Sequence, residues 1–356
     1  MQQQLAIHGS THESQVLDLK IGELVEVRSQ EEIFATLDEN GALDGMPFMP
    51  EMLRFVGQRH PVYKLAHKTC DTATRTGGRS VMHTVHLQLR CDGSGHDGCQ
   101  AGCLIFWKEA WLRRVDGAGQ TLAASATAPA SGGAAPVFTL VQLQRATSRP
   151  DPADPSTRIY TCQNTQIPKS TAPLPWWDAR QYVRDVTSGN VTVGKAAFVL
   201  GRAMFNAVQR KRGGRGFPSF PVPSKTKTPR ERLDLQVGEL VQVRTPQEIA
   251  DTLDVNYRNR GLFFDVELIR WCGGTYRVKY RVEKIINEQT GRMLHLPNDC
   301  IVLEGVACAA ECSRGRLLCP REIHHYWREI WLRRVPAPAA VDNRNEPSGP
   351  VAIGRD

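Results

Sequence analysis

The chain has 356 residues and a formal net charge of +8, with 41% hydrophobic and 23% charged residues. This length is too great for one small core, and this composition is that of a folded globular protein, so global disorder is excluded. The opening MQQQLAIHGSTHESQ lacks the basic start and apolar run of a secretory signal, and no stretch of about 18 uncharged apolar residues occurs. The sequence therefore predicts a cytoplasmic protein without a transmembrane segment.

Two segments of the chain are closely similar. LDLKIGELVEVRSQEEIFATLDENGALDGMPF (17–48) matches LDLQVGELVQVRTPQEIADTLDVNYRNRGLFF (233–264) without a gap, at a constant offset of 216. The closing segments FWKEAWLRRV and YWREIWLRRV also match, at an offset of 220. The sequence therefore predicts a tandem repeat, with one cysteine-rich copy at 17–115 and another at 233–335, each of ordinary domain size.

The elements predicted in each copy are mostly strands. GELVEVR and GELVQVR alternate apolar and polar residues as half-buried strands do, whereas SQEEIFATLD and TPQEIADTLD begin with the Ser or Thr cap and acidic residues of a short helix. HPVYKLAHK, YRVKYRVEK, VHLQLRC, CIVLEGVAC and both WLRRV segments also predict strands. The predicted fold class is mainly β with some α: two homologous small SH3-like barrel or sandwich domains joined by a linker and a helical connector.

The remaining segments differ in composition. Residues 1–16 and 336–356 are predicted to be disordered, and 116–155 to be a flexible linker, because its first part is a low-complexity Ala, Gly, Ser and Pro sequence. Residues 156–232 are interpreted as a helical basic connector with two helices interrupted at Ser188-Gly189-Asn190, the first capped by Asp178. The second helix is expected to dock on the repeats, with a membrane surface as the alternative.

The connector also carries a cluster of basic residues. This patch would suit nucleic acid, acidic lipid or an acidic protein, although a solvated linker has the same composition. The residues through which nucleic acid would bind are Arg210, Lys211, Arg212 and Arg215.

Eight of the ten cysteines fall in two sets of four, one in each copy. Closely spaced cysteines in a reducing compartment more often bind metal than form disulfides, and four thiolates suit tetrahedral zinc. Buried core cysteines are the alternative interpretation, and an iron–sulfur cluster or iron is the alternative cofactor. The first set is Cys70, Cys91, Cys99 and Cys103, and the second is Cys300, Cys308, Cys312 and Cys319.

The two sets are related but not identical. Cys91 aligns with Cys308 and Cys99 with Cys319, whereas Cys70 falls opposite Ile286. Cys162 and Cys272 belong to neither set and are interpreted as packing residues. Additional metal ligands are sought among nearby imidazoles and one carboxylate: His67, His83, His86, His96, Glu283, His324 and His325. The glutamates between the paired tryptophans, Glu109 and Glu329, are expected to pair with the neighbouring arginines.

Common catalytic signatures are absent from the sequence. It contains no GxGxxG after a strand, no phosphate-binding loop, no HExxH and no GxSxG. The segments FMPEM, HKTCD, CQAGCLIFWKEAWL, CPREIHHYWREIWL and RQYVRDVTSGNV together resemble a group of uncharacterised bacterial proteins with two cysteine-rich repeats. This resemblance implies an architecture and no reaction.

Three functions therefore remain open at the level of sequence. The leading expectation is a metal-stapled, zinc-containing tandem-repeat protein that binds a protein partner or serves as an accessory protein. A metalloenzyme or iron–sulfur redox protein that uses one of the two cysteine sites is the alternative, and a nucleic-acid-binding protein is the third. The sequence leaves open whether the protein is an enzyme.

Overall fold

The computed structural model describes residues 16–115 and 138–335. Within these residues the fold is mixed α and β, with many small antiparallel sheets and few helices. Helix and strand contribute similar shares, so the predicted predominance of β structure is not observed, and no sheet in the described part closes into a barrel. The reason is that most strands have only two to four residues, while the longest element in the described residues is a helix of the segment between the two units, Val193–Lys211.

The first unit (17–115) consists of short strands around one α-helix and two 3-10 helices. Its elements in chain order are β1 (Leu24–Val27), α1 (Gln30–Phe34), β2 (Ala42–Leu43), β3 (Met46–Pro47), a 3-10 helix (Pro50–Phe55), β4 (Arg59–Pro61), β5 (Lys64–Leu65), β6 (Lys68–Asp71), β7 (Gly77–Ser80), β8 (Thr84–His86), β9 (Trp107–Lys108), a 3-10 helix (Glu109–Trp111) and β10 (Leu112–Arg114).

The described part of the segment between the units, 138–232, holds four helices. Its elements are α2 (Leu140–Thr147), β11 (Ser148–Asp151), β12 (Asp154–Tyr160), α3 (Gln163–Ser170), β13 (Ala172–Pro173), α4 (Arg180–Thr187) and α5 (Val193–Lys211).

The second unit (233–335) resembles the first in element order. Its elements are β14 (Leu240–Val243), α6 (Pro246–Ala250), β15 (Arg258–Asn259), β16 (Leu262–Phe263), a 3-10 helix (Val266–Trp271), β17 (Thr275–Arg281), β18 (Lys284–Ile286), β19 (Met293–His295), β20 (Ile301–Leu303), 3-10 helices (Arg314–Arg316 and Glu329–Trp331) and β21 (Leu332–Arg334).

The first strand of each unit makes the same pairings. β1 lies between β10 and β4, with Val25 opposite Arg114. β14 lies between β21 and β17, with Val241 opposite Arg334. The predicted helix caps are also present, since the side chains of Ser29 and Thr245 each accept a hydrogen bond from a backbone amide of the helix they precede.

The paired tryptophans occupy the two cores in the same way. Trp111 packs edge-on against Phe48 with ring centroids 5.3 Å apart, and Trp331 packs against Phe264 at the same distance. The Trp111 indole donates a hydrogen bond to Thr36 at 3.1 Å, and the Trp331 indole donates to Thr252 at 3.0 Å. The indole N–H groups of Trp111 and Trp331 are therefore satisfied inside an apolar core, whereas those of Trp107 and Trp327 have no hydrogen-bond partner among the described residues.

The predicted flexible linker, 116–155, contains regular structure from residue 138 onward, whereas residues 116–137 lie outside the described part of the chain. α2 leads into a hairpin formed by β11 and β12. The apolar side chains of Phe138 and Leu143 are buried in the core of the first unit. These two residues supply the apolar surface that holds the segment on the domain.

The predicted helical connector docks on the second unit. The break at Ser188-Gly189-Asn190 separates α4 from α5, as expected, and Ala196 and Val199 of α5 pack against Leu317 and Leu318. Asp178 accepts the backbone amide of Arg180, although Ala179 is the residue at the start of α4. No helix in the described residues is long and apolar enough to cross a membrane.

The two units contact each other reciprocally. In one direction, the Lys68 ammonium of β6 donates to the Leu317 carbonyl at 2.9 Å. In the other, the backbone amide of Gln100 donates to the carbonyl of Lys284, which aligns with Lys68. Thr72 hydrogen-bonds Glu288, the residue at the same position of the other copy. Contact between equivalent residues is the property of a two-fold axis.

Glu109 and Glu329 anchor the start of each unit and do not pair with the arginines that follow them. Glu109 accepts the backbone amides of Leu17 and Asp18, at 2.7 and 3.1 Å. Glu329, fully buried, accepts the amides of residues 233, 234 and 235 and the guanidinium of Arg281. The expectation from sequence missed this because the amides lie almost 100 residues away in the chain.

Replacing Glu329 with glutamine is expected to lower the free energy of unfolding by about 2 kcal/mol at neutral pH, since hydrogen bonds to a charged group contribute about 1.5–3 kcal/mol. Burial alone would raise the pKa of Glu329, but Arg281 and the backbone amides outweigh burial and hold this pKa below its ordinary value of 4.5. A depressed carboxyl pKa stabilises the folded state above the unfolded-state pKa, and this stabilisation is lost as pH falls through the folded-state value.

Urea unfolding of the wild type and of Glu329→Gln, repeated at a series of pH values from neutral downward, measures this loss of stability. The difference in unfolding free energy is expected to be full at neutral pH and to shrink below about pH 4.5, where the unfolded-state carboxyl begins to protonate. Glu304→Gln, a change of an exposed glutamate in the same unit, serves as the control. A difference that does not vary with pH would contradict a role for the charge.

Candidate functional site

The first candidate site is a small cavity lined by four thiols. Cys91, Cys99 and Cys103 come from the loop between β8 and β9, and Cys162 lies directly before α3. The cavity has a volume of about 30 Å³, close to the volume that one water molecule occupies in the liquid. We call these four residues the first thiol cluster.

Tight backbone turns bring the loop cysteines together. Cys91 donates its amide to the Cys103 carbonyl, and Cys99 donates its amide to the His96 carbonyl. Gly93 has a φ of +72°, and a Cβ placed there would lie only 2.1 Å from the carbonyl oxygen of Cys99. Glycine at this position is therefore required by both the conformation and the close approach of the chain.

Two N–H groups next to the first thiol cluster donate hydrogen bonds to its sulfur atoms. The Asn164 side-chain amide donates to Cys103 Sγ at 2.7 Å, and the backbone amide of Ile286 donates to Cys99 Sγ at 3.3 Å. Such donors favour the thiolate over the thiol and orient it, as the groups around metal ligands do. The second unit thus contributes directly to a site made by the first unit and the connector.

Burial keeps three sulfurs of the first thiol cluster, those of Cys91, Cys103 and Cys162, protonated when no cation is near. Burial, reinforced by Glu51 and Cys103, raises the pKa of Cys91. Burial also raises the pKa of Cys103, and it raises the pKa of Cys162 to about 11. A cation in the cavity would reverse this balance, because it stabilises the thiolates that neighbouring charges otherwise oppose.

The second candidate site lies between the two units. Cys70 of β6 packs with Cys308 and Cys319 of the second unit in one buried cluster, which we call the second thiol cluster. A hydrogen bond from the Cys319 thiol, with the nearby charges of Arg321 and Arg316, lowers the pKa of Cys70 despite its burial. The thiolate at Cys70 in turn raises the pKa of Cys319.

The two loops that carry these thiols have matching backbone geometry. Cys308 donates its amide to the Ile323 carbonyl, as Cys91 does to the aligned Cys103. The left-handed residues Gly93 and Gly98 of the first loop correspond to Ala310 and Leu318, with φ of 52° and 59°. The second loop thus keeps a conformation that favours glycine without having glycine there.

A buried glutamate supports each loop. Glu51 Oε1 lies 2.6 Å from His96 Nδ1, and the thiol of Cys91 donates to the same oxygen at 3.7 Å. The aligned Glu267 accepts three successive backbone amides of the second loop, including that of Cys312 at 2.7 Å. These carboxylates hold the loops in shape.

The structure changes the predicted grouping of cysteines. Cys70 lies beside Cys319 and not with the other cysteines of the first unit. Cys162, interpreted as a packing residue, does pack against the core of the first unit, and it also lines the cavity of the first thiol cluster. Cys300 packs with Val282 and Val302 in a separate apolar cluster, and Cys312 is outside the second thiol cluster. All ten cysteines are free thiols.

Most of the additional predicted ligands have other roles. His96 lines the first cavity, but both its ring nitrogens are engaged, with Glu51 and with the Thr161 carbonyl. His86 is buried against Phe106, and burial lowers its pKa to about 4. His67 lies 3.1 Å from Asp185.

The other predicted ligands lie outside the thiol clusters as well. His83 has a positive φ at a turn, and Glu283 is exposed. His324 and His325 are both buried in the second unit, and neither belongs to the second thiol cluster. None of these four residues therefore lies where it could join the cysteines as an additional metal ligand.

The side chains as they stand do not form a finished metal site. Across residues 16–115 and 138–335, no group of three or more His, Cys, Asp and Glu side chains is arranged so that it could hold a metal ion. Cys91, Cys99, Cys103 and Cys162 nevertheless line one cavity of about 30 Å³. Soft thiolate donors of this number are the set that zinc and iron–sulfur clusters use.

No family model matches the chain, and no curated protein matches it. The functional interpretation therefore depends on the chemistry of the residues themselves.

Proposed function

We propose that this protein is a zinc-stapled tandem-repeat protein of the cytoplasm that acts as a binding or accessory protein. The observation that carries the proposal is the first thiol cluster, in which four cysteines line one cavity of about 30 Å³. Four thiolates are the full donor set of a closed structural zinc site, which has no open position for a substrate.

The surroundings of the cavity fit a zinc ion with thiolate ligands. Asn164 and Ile286 donate hydrogen bonds to the sulfurs, and the cavity is otherwise lined mainly by apolar groups such as Met49 and Ile105. Within this shell a cation would convert the four thiols into ligands by displacing their protons. The chain itself supplies the donors, their orientation and the exclusion of water.

A metal at this place would join three parts of the chain. The loop belongs to the first unit, Cys162 belongs to the segment between the units, and Ile286 of the second unit contacts Cys99. Binding energy at such a site contributes to folding, because the unfolded chain does not hold the ligands together. The proposed role of the ion is therefore to fix the relative positions of these segments.

We also infer that the two units are duplicated, SH3-like copies. The inference is supported by the matching strand registers, the shared Trp-to-Thr hydrogen bonds and the reciprocal contacts of aligned residues. A duplicated pair that packs about a two-fold axis presents one continuous surface, and we propose that a protein partner binds there.

Elemental analysis of the purified full chain, with a visible spectrum, tests the proposal. At least about one zinc per chain and a colourless solution are expected, because a structural zinc of this kind binds tightly at neutral pH. A metal content well below one per chain would remove the basis of the proposal. If the chain instead contains iron and absorbs visible light, the bound group is an iron–sulfur cluster and not zinc.

A second candidate function is favoured by the second thiol cluster. Only three thiols meet there, and two of them, Cys308 and Cys319, also line a cleft between the units. Three protein ligands with one open position are the pattern of catalytic zinc. A metalloenzyme would therefore use this cluster, and cobalt bound there would change its visible spectrum when a thiol ligand enters the open position.

A further inference from the structure

A cationic cleft lies between the two units, next to the second thiol cluster. It has a volume of about 390 Å³ and is lined by residues from the first unit, the connector and the second unit. This volume falls within the range of small-molecule sites in proteins. Its basic lining residues are Lys64, Arg90, Lys195, Arg270 and Lys279.

The carboxylates near the cleft do not balance these charges. Glu322, in the lining, pairs with Lys64, and Glu311, which is not part of the lining, pairs with Lys195 and Arg270. Arg202 also pairs with Glu311, and the charge of Glu304 acts on Lys279, so six cationic groups face three carboxylates and leave three positive charges in excess. The excess is concentrated between low-dielectric walls, where it attracts anions strongly.

Two of the basic residues make no ion pair with a carboxylate in the described part of the chain. Arg90 donates to the backbone carbonyls of Gly102 and Glu322, each at 2.9 Å. Lys279 lies about 5.9 Å from the centre of the Tyr280 ring. Burial and the charge of Arg90 lower the pKa of Lys279 more than exposed Glu304 raises it.

A buried histidine without a good partner also lines the cleft. His324 is 7% exposed, and neither ring nitrogen makes a well-aligned hydrogen bond, although the Val306 backbone is near. Burial, with Arg90 and Lys279, lowers the pKa of His324 to about 3, so the ring is neutral and carries one N–H donor. A buried polar group without a partner is costly unless a ligand or water satisfies it.

We propose that this cleft binds an anion bearing one or more phosphate groups. The excess of three charges favours a multiply charged anion over a monocarboxylate, and Arg and Lys are the usual donors to phosphate oxygens. The neutral His324 ring supplies a further donor, and Lys279 supplies a charge that no carboxylate of the described residues holds in an ion pair. This inference goes beyond the proposed metal staple and does not depend on metal at either thiol cluster.

Isothermal titration of the full chain at low salt tests the site with pyrophosphate, inorganic phosphate, adenosine monophosphate and citrate as separate probes. Binding of the phosphate-bearing probes is expected, and it should weaken as salt is added because charge drives it. Pyrophosphate tighter than phosphate would identify a free polyphosphate site, and adenosine monophosphate tighter than both would identify a nucleotide site. Citrate that binds as tightly as pyrophosphate would overturn the preference for phosphate.

Two substitutions assign the binding to the cleft. Lys279→Gln removes the unpaired charge, and His324→Leu introduces the residue found at the aligned position of the first unit, Leu104. Loss of one charge-assisted contact is expected to weaken pyrophosphate about tenfold for Lys279→Gln, and His324→Leu should weaken it several-fold. Lys20→Gln, an exposed lysine outside the cleft, is the matched control and should bind as wild type does.

The basic connector is a competing source of anion binding. A variant with Arg210, Lys211, Arg212 and Arg215 changed to glutamine is expected to retain pyrophosphate binding. Loss of binding in this variant, or wild-type affinity in both Lys279→Gln and His324→Leu, would overturn the proposal. Lys279 is only partly buried, so its substitution keeps the test decisive even if His324→Leu does not fold.

Discussion

Replacement of Cys162 by serine is expected to release the metal of the first thiol cluster and to destabilise the fold by about 4 kcal/mol or more, since loss of a metal belongs to the most damaging class of single substitutions. Cys162 is one of four thiols lining the cavity, and it is the one supplied from outside the repeats. Serine keeps the size of the side chain but is a poor ligand for a borderline-soft ion such as zinc.

The measurements are zinc per chain and the midpoint of thermal unfolding, made on protein purified without added metal. Cys272→Ser is the matched control, because Cys272 is half-buried in the second unit and belongs to neither thiol cluster. The control is expected to retain the zinc content of wild type. Full zinc content in Cys162→Ser would contradict the assignment of this residue as a ligand.

Treatment with a chelator independently tests whether the proposed zinc ion stabilises the fold. Removal of zinc from the wild-type chain should lower its unfolding midpoint, whereas the Cys162→Ser variant should respond less, because part of its metal is already gone. Equal responses of the two proteins would show that the stabilising ion is bound elsewhere.

Local features of the fold were predictable because short-range chemistry determines them. Ser29 and Thr245 cap their helices through side-chain oxygens one turn away, and the break at Gly189 separates two helices. The alternation of apolar residues in β1 and β14 likewise follows from the period of a strand. These signals lie within a few residues of the feature they specify.

Which cysteines belong to each thiol cluster was harder to predict from the sequence, because this depends on packing between segments that are distant in the chain. Cys70 precedes Cys91 by 21 residues in sequence, yet β6 carries it to the loop of the other unit. The aligned residue of the second unit, Ile286, makes the reciprocal move and reaches Cys99. The spacing of cysteines within one copy therefore could not predict that Cys70 and Ile286 each contact the other unit.

Cys162 packs against the core of the first unit, as interpreted from sequence, but its place beside the other three thiols was not predicted. It has no cysteine close to it in sequence, and it lies in a segment without a counterpart in the other copy. Under the proposed zinc site, the signal that could have found it is numerical: the first loop supplies three cysteines, and a closed zinc site takes four ligands, so a search for a fourth donor outside the loop would reach Cys162. Tyr160 and Ile167, which flank Cys162 in the sequence, are both buried.

Replacing Asp185 with asparagine is expected to cost about 3–5 kcal/mol of unfolding free energy, because it leaves a buried lysine without its counter-charge. Asp185 of α4 is fully buried, accepts a hydrogen bond from Lys68, and lies 3.1 Å from His67 Nε2. Burial lowers the pKa of Lys68, whereas Asp185 opposes that effect. The ion pair between Lys68 and Asp185 therefore holds α4 against the first unit. Lys68 also donates a hydrogen bond to the Leu317 carbonyl, so the second unit meets the other two segments at the same place.

Lys284→Met provides the matched control, since Lys284 aligns with Lys68 but faces Asp97 at 3.9 Å near the surface. Its effect on stability is expected to stay below about 1 kcal/mol, as for other exposed pairs. The double variant Lys68→Met with Asp185→Leu should recover most of the loss, because apolar groups of similar size replace a buried pair at little cost. Chemical unfolding gives these free energies, and hydrogen exchange should show faster exchange in α4 of Asp185→Asn while α6 is unchanged. Equal effects of Asp185→Asn and Lys284→Met would mean that burial of the charge at Lys68 is not what holds the connector in place.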